Sequence, residues 1–214
     1  GIIGQGGVGK SSVADALLFA AGAVTRQGRV DEENSNFDFE PEEHRRRSSL
    51  STSLYSLLWN KHDITLLDTP GYANFLPDAL NCLRACTGVV LVAAPGAGEL
   101  RVEAEQLWTR AQELGLPAIA FVTRMDRENA SLAAALDDLK DSLGANPVAV
   151  QHPLGSGHEF RGVVEGDRMR GEAVQGAKLV FLAVGTPQGA DGHARQPLNF
   201  TMGPPGLEPG TNRL

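Results

Sequence analysis

The chain has 214 residues, of which 42% are hydrophobic and 21% charged, and its formal net charge is −7. This length and composition predict one α/β domain with a substantial core, with or without an appendage, and the negative charge argues against a protein that binds nucleic acid through bulk charge. No apolar run reaches about 18 residues and no signal peptide is visible, so we expect no membrane span and no membrane partner.

The first dozen residues contain a complete phosphate-binding motif. Residues 4–11 match the pattern G-x-x-x-x-G-K-[ST]. Its glycines let backbone N–H groups turn inward around phosphate oxygens, Lys10 supplies positive charge for the β/γ-phosphates, and the Ser11 hydroxyl is placed to ligate Mg²⁺. An apolar strand precedes the motif, and an amphipathic helix over 12–21 follows it. The predicted phosphate site consists of Gly4, Gln5, Gly6, Gly7, Val8, Gly9, Lys10, Ser11 and Ser12.

Two polar or unusual segments allow more than one interpretation. Residues 22–43 lack periodicity and predict a long loop, either functional or disordered. The arginines at 45–47 suit a solvated surface, or a contact with RNA or phosphate.

Cys82 and Cys86 lie four residues apart on a predicted helix. Because no further Cys or His cluster joins them, we interpret them as small apolar residues of a cytoplasmic protein rather than a metal or redox pair.

Apolar strands and amphipathic helices alternate along the rest of the chain. The predicted strands are 50–59, 64–67, 88–93 and 118–122, and the predicted helices are 74–85, 101–114 and 129–143. This alternation predicts a three-layer α/β fold with a mostly parallel sheet. Ligands of such sheets bind at the carboxyl ends of the strands, where residues 4–11, 68–71 and 123–126 should therefore meet.

The two later motifs predict the remaining parts of a nucleotide site. In residues 68–71 (Asp-Thr-Pro-Gly), Asp68 is placed to hold Mg²⁺ through water, and Gly71 lets a backbone N–H approach the γ-phosphate. A plain β-turn would use the same residue types. In residues 123–126 (Thr-Arg-Met-Asp), Asp126 is expected to be a buried carboxylate that accepts both hydrogen bonds from guanine, with Arg124 along the base. The alternative is a helix N-cap at Asp126 or Asn129.

The order of these motifs resembles the G domain of translational GTPases, most closely elongation factor G and its paralogues. The resemblance covers about residues 1–170 and includes the segments 59–68, 118–126 and 143–148. It implies a P-loop NTPase G domain that binds GTP or GDP with Mg²⁺, hydrolyses GTP and acts on the ribosome and its RNA. It implies that Ser49 joins Ser11 and Asp68 as a metal ligand. It also implies catalytic roles for Lys10, Gly71 and Tyr72, and guanine contacts from Thr123, Arg124 and Asp126.

Several residues depart from the pattern of that family. Gln5 and Gly7 replace its usual His and Asp, residues 46–49 read Arg-Arg-Ser-Ser instead of R-G-I-T, Tyr72 replaces the His that orients the attacking water, and Thr123 replaces an Asn. We therefore predict a monomeric GTPase with slow hydrolysis. Two alternatives stay open: a GTP-gated module that binds ribosome or RNA with feeble catalysis, and a P-loop ATPase or kinase, which leaves Asp126 unexplained.

The end of the chain differs in composition from the rest. We divide the chain into a GTPase core (1–144), the start of a G-domain insertion (145–171) and a largely disordered tail (172–214), because residues 202–214 are rich in Pro and Gly. Residues 178–184 predict a strand where the fifth guanine-site motif should follow, but no Ser-Ala pair is present. The first residue is not Met and the resemblance fades near Gly171, so we expect a fragment.

Overall fold

The computed structural model describes residues 1–96, 98, 100–165, 174–175 and 180–185, which form ten strands and five α-helices. The strands are β1 (Ile2–Ile3), β2 (Ser53–Trp59), β3 (His62–Asp68), β4 (Val89–Ala93), β5 (Ala118–Val122), β6 (Asn146–Ala149), β7 (Gln151–Leu154), β8 (Gly162–Glu165), β9 (Val174–Gln175) and β10 (Val180–Gly185). The helices are α1 (Lys10–Ala20), α2 (Pro41–Arg46), α3 (Leu76–Cys82), α4 (Val102–Glu113) and α5 (Leu132–Leu143).

Seven of these strands form one central sheet in the order β2-β3-β1-β4-β5-β10-β6. β1 pairs in parallel with β3 and β4, and β4 pairs in parallel with β5. β2 is antiparallel to β3, and β10 is antiparallel to both β5 and β6. β1, β3, β4, β5 and β6 therefore run in one direction, which confirms the mostly parallel α/β sheet. The chain leaves β1, β3 and β5 at the same edge, where the three predicted motifs follow.

Helices cover both faces of the sheet, as a three-layer fold requires. Strand residues alternate between the faces: Ile3 and Leu91 belong to the cluster under α3, α4 and α5, whereas Ile2 and Val92 belong to the cluster under α1. The larger cluster also contains Trp108, whose indole N–H donates to the carbonyl of Leu143 and so ties α4 to α5 (3.1 Å). The central strands are apolar on both faces because both faces are buried.

The helix termini differ from the predicted ones for local reasons. The predicted helix 74–85 is divided into α3 and a short 3₁₀ turn on each side, with Pro77 in the first turn of α3. α5 begins at Leu132 and not near 129, because the hydroxyl of Ser131 accepts the N–H of Ala134 as the N-cap. The alternative of an N-cap for this helix at Asp126 or Asn129 is therefore not realised. α2 begins at Pro41 within the predicted long loop, extends beyond the end of that loop and carries the first two arginines of the run 45–47.

The segment after α5 contributes to two sheets. β6 belongs to the central sheet, although it lies within the stretch predicted as an insertion, whereas β7, β8 and β9 form a separate three-stranded sheet. The strand predicted at 178–184 is present as β10, but it is antiparallel to β5, so the chain leaves it at the edge opposite the three motifs. The domain division stays a prediction. Of the tail expected to be largely disordered (172–214), only 174–175 and 180–185 belong to the described residues, and they lie in β9 and β10.

Candidate functional site

The phosphate-binding loop connects β1 to α1 at the carboxyl edge of the sheet. Gly9 precedes the first residue of α1 with φ of 95°, a conformation that glycine adopts without steric cost, and the first turn of the helix follows at once. Lys10 is buried, and its Nζ donates a hydrogen bond to the carbonyl of Gln5 at 3.0 Å. Burial lowers the pKa of Lys10 to about 8, although the nearby charge of Asp68 opposes that change. The ammonium group is thus held inside the loop that would surround the phosphates.

The three residues predicted to hold the metal lie together. The hydroxyl of Ser11 donates to Oδ2 of Asp68 at 2.6 Å and lies 3.2 Å from the hydroxyl oxygen of Ser49. Asp68 is fully buried, and burial raises its pKa to about 7 in spite of the hydrogen bond from Ser11 and the charge of Lys10. Its Oδ1 has no hydrogen-bond partner in the described part of the chain. A buried carboxylate and two hydroxyls form a donor set of the kind that Mg²⁺ prefers.

Asp38 is a site residue that the sequence interpretation missed. Its side chain is 6% exposed, and neither carboxylate oxygen completes a hydrogen bond within the described residues, although the Ser49 hydroxyl is close. Burial, and then the charge of Glu43, raises the pKa of Asp38, and its own charge acts on Asp68. A buried carboxylate without partners is unfavourable unless a cation is near. The adjacent Phe37, which is fully buried, was the available signal in this polar loop, whereas Phe39 on the other side of Asp38 is exposed.

Glu43 is a second missed residue, and it organises the segment that carries Ser49. Its side chain is 1% exposed. Oε2 accepts the backbone N–H groups of Phe39 and Glu40 at 2.9 and 3.0 Å, and Oε1 accepts that of Leu50 at 2.8 Å. One carboxylate therefore joins the N-terminus of α2 to the residue next to Ser49. The capping-box position of Glu43, three residues after the N-cap, was a signal for the first two of these bonds.

Gly71 and Tyr72 pack against the phosphate-binding loop. A Cβ on Gly71 would lie 2.6 Å from the carbonyl carbon of Gln5 and would also collide with Nζ of Lys10. Only glycine permits this approach. The ring of Tyr72 lies on Gly6 and stays 47% exposed. Tyr72, which stands at the sequence position of the water-orienting His, therefore lies beside the phosphate-binding loop.

The predicted guanine-binding residues follow β5 at the same edge of the sheet. Thr123 is buried, and its hydroxyl donates to the carbonyl of Val8 at 2.7 Å, so the strand is tied directly to the phosphate-binding loop. Arg124 has a positive φ of 58°, and Met125 is fully buried. Asp126 is exposed, which corrects the expectation of a buried carboxylate. Burial of Met125 turns the adjacent Asp126 towards solvent, where a stacked base would itself have to cover it.

Two contacts tie the start of β2 to α3. Both the backbone N–H and the hydroxyl of Thr52 donate to Oδ2 of Asp78, each at 2.7 Å. Thr52 lies three residues after Ser49, and α3 follows directly on the segment that carries Gly71 and Tyr72. The two segments that flank the metal-binding residues are therefore in direct contact.

The structure shows the surroundings of the arginine run and of the two cysteines. Arg45 and Arg46 pair with Glu42 at 3.5 and 2.7 Å in largely exposed positions, as in a solvated helix. Cys86 is buried, Cys82 is partly buried, and both are free thiols. In the described part of the chain, no group of three or more His, Cys, Asp or Glu side chains is arranged to hold a metal, and no helix is long and apolar enough to span a membrane.

Comparison with protein families finds one match that covers most of the chain. The family model described as the elongation factor Tu GTP binding domain matches residues 1–192. The match extends beyond residue 171, where the resemblance was expected to fade. It agrees with the order of the three motifs at the carboxyl edge of the sheet.

Several curated proteins resemble the chain at the sequence level. Elongation factor G 2 of Streptomyces coelicolor is 35% identical over 170 residues, which are 79% of this chain and 25% of that protein. Elongation factor G of Salinibacter ruber is 32% identical over 174 residues, which are 81% of this chain and 24% of that protein. A crystal structure of a Thermus thermophilus protein superposes with a TM-score of 0.69 at 34% identity, over 77% of this chain and 24% of the other. The chain spans about a quarter of the length of the curated relatives it matches.

Proposed function

Because the chain belongs to the family of the elongation factor Tu GTP-binding domain, we propose that it is the GTP-binding part of an elongation factor G-like protein that acts on the ribosome in the cytoplasm and hydrolyses GTP slowly. One observation carries the proposal. Lys10, the Ser11–Ser49–Asp68 cluster and the residues after β5 lie at the same edge of the sheet. That arrangement suits a nucleotide whose phosphates and base are bound by different strand ends.

The metal-binding cluster supports a role for Mg²⁺. Ser11 and Ser49 would ligate the ion directly, and Asp68 and Asp38 would hold it through water, because both carboxylates are buried and have oxygen atoms without partners among the described residues. When bound, Mg²⁺ neutralises charge on the β- and γ-phosphates.

The residues of the chain would contribute to hydrolysis mainly through position and charge. Lys10 would face the phosphates from inside the loop, and the backbone N–H groups of residues 6–11 would surround them. Gly71 packs against Lys10 and Gln5, where its backbone N–H would be near a γ-phosphate, and the Thr123 hydrogen bond ties the base-binding strand to the loop. Tyr72 stands at the sequence position of the His that orients the attacking water in the related family.

Guanine selectivity is the test of this function. We expect GDP to displace a fluorescent guanine nucleotide much more effectively than ADP, because a carboxylate at Asp126 accepts two hydrogen bonds from guanine and none from adenine, a difference of about 2–5 kcal/mol. Asp126→Asn should lose guanine binding and gain binding of a xanthine nucleotide. Asp141→Asn, on the exposed side of α5, is the matched control. Equal displacement by ADP and GDP would instead favour a P-loop ATPase or kinase.

Slow hydrolysis is the second expectation for this function. At neutral pH a phenol is a weaker base than an imidazole, so Tyr72 is less suited than His to orient and activate water. Tyr72→His should therefore accelerate single-turnover GTP hydrolysis about tenfold or more, with ribosomes present. Strong ribosomal stimulation of the unmodified chain would contradict this expectation.

The alternative function is a GTP-gated interaction module that has little catalytic activity. The exposed ring of Tyr72 on the phosphate loop favours it, since such a ring can respond to the nucleotide without assisting hydrolysis. If Tyr72→His does not accelerate hydrolysis while guanine nucleotides still bind, this alternative is the better description.

A further inference from the structure

The ring of Tyr72 fills the space that a side chain at position 6 would occupy. A Cβ added to Gly6 would lie 2.8 Å from both Cε1 and Cζ of Tyr72, and 2.9 Å from Cδ1. Carbon atoms without a bond between them do not pack this closely, so a side chain at position 6 and the ring exclude one another. All three contacts are made by ring carbons. The contact therefore depends on the aromatic ring and not on the hydroxyl group.

This contact lies at the γ-phosphate end of the phosphate-binding loop. The lysine of this motif faces the β- and γ-phosphates, and here Nζ of Lys10 lies at the carbonyl of Gln5 and against Gly71. Gly71 precedes Tyr72 directly, and Gly6 follows Gln5. The ring and its neighbour thus cover the end of the loop that a third phosphate would reach and a second would not.

We propose that the Tyr72 ring, seated on Gly6, is a specificity determinant that discriminates against the triphosphate. The inference rests on the proposed function, because it concerns the same nucleotide site. A γ-phosphate would bring three further oxygens next to Lys10, and the ring of Tyr72 would have to move away from Gly6 to make room for them. Withdrawal breaks the contact of the ring with Gly6, whereas a diphosphate leaves it in place.

The expected loss of affinity for the triphosphate is set by the fraction of time that the ring of Tyr72 is away from Gly6. The side chain of Tyr72 is 47% exposed, so about half of its surface is covered in this position. If the ring leaves Gly6 about one tenth of the time, the apparent affinity for the triphosphate falls about tenfold, while that for the diphosphate does not.

The test compares dissociation constants for GDP and for a non-hydrolysable GTP analogue. Tyr72→Ala should shift the ratio of the two constants about tenfold in favour of the analogue, since no ring has to withdraw. Tyr72→Phe should keep the ratio of the unmodified chain. Gly6→Ala should shift the ratio as Tyr72→Ala does, because Gly6 has no positive φ and the three atoms nearest to the new Cβ all belong to the ring. Combining Gly6→Ala with Tyr72→Ala should then produce no further shift.

The matched control is Phe19→Ala, which removes an aromatic ring of similar exposure (48%) from α1 and should leave the ratio unchanged. An unchanged ratio in Tyr72→Ala, a shift in Tyr72→Phe, or additive shifts in the double variant would overturn the inference. If the Gly6→Ala chain binds neither nucleotide, the ratios measured for the Tyr72 variants alone decide whether the inference holds. Failure of the unmodified chain to bind either nucleotide would overturn the proposed function as well, whereas normal GDP binding with an unchanged ratio in Tyr72→Ala overturns this inference alone.

Discussion

Lys10→Ala should weaken the binding of GTP and GDP by about 2–5 kcal/mol. Lys10 is the positive charge that the structure places inside the phosphate-binding loop, where burial makes its interactions stronger than at the surface. The substitution removes this charge and leaves the buried carboxyl of Asp68 without the opposite charge that favours its ionised form. Titration of a fluorescent guanine nucleotide measures the loss.

The control for this substitution is Lys140→Ala. Lys140 is half exposed on α5 and lies 3.9 Å from Asp137, a surface pair that contributes little. It should leave nucleotide affinity unchanged. Thermal unfolding of the Lys10→Ala chain, measured without nucleotide, shows whether a loss of binding reflects the site or the fold. A folded Lys10→Ala chain with the affinity of the unmodified protein would refute the assignment of the phosphate site.

Glu43→Gln should lower the free energy of unfolding by about 2–4 kcal/mol. The carboxylate of Glu43 is buried and accepts three backbone N–H groups at 2.8–3.0 Å, two from the start of α2 and one from Leu50. A glutamine has one oxygen where two are needed, and its NH₂ group would face an N–H donor. Urea-induced unfolding, monitored by circular dichroism, measures the change.

The neighbouring Glu42 provides the comparison for Glu43. Glu42 is partly exposed and pairs with Arg45 and Arg46 at the surface, so Glu42→Gln should cost about 0–1 kcal/mol. The two substitutions are chemically identical and one position apart, and they differ in burial. Equal losses of stability in the two variants would mean that the hydrogen bonds of Glu43 do not stabilise the segment that carries Ser49.

The parts of the fold that depend on local patterns were predicted well from the sequence. The strand predicted at 118–122 has the observed bounds of β5, and the other predicted strands and helices have counterparts in the structure, with shifted ends. Ser11 and Asp68 also meet as expected, because a motif that follows a buried strand must lie at the carboxyl edge of the sheet. The position of Ser49 beside Ser11 was expected from the family resemblance alone.

The features that depend on distant partners were not predictable in the same way. For Asp38 and Glu43 the sequence offers only weak signals, a neighbouring phenylalanine and a capping-box position, and the burial of both carboxylates follows from the folded chain. The reversed direction of β10 follows from its pairing with β5 and β6. The periodicity of apolar residues indicates a strand but not its direction in the sheet. The exposure of Asp126 likewise depends on how the neighbouring Met125 packs into the core.

The contact of Thr52 with Asp78 has a consequence for communication across the molecule. Thr52 is three residues from Ser49, and Asp78 lies in the helix that follows Tyr72. The two hydrogen bonds therefore join the segments on the two sides of the metal cluster. If a bound cation displaces Ser49, these two hydrogen bonds, which lie at the exposed surface, are the direct contact through which α3 would be affected. By thermodynamic reciprocity, a macromolecule that holds α3 in one position would change the affinity for the cation by the same factor.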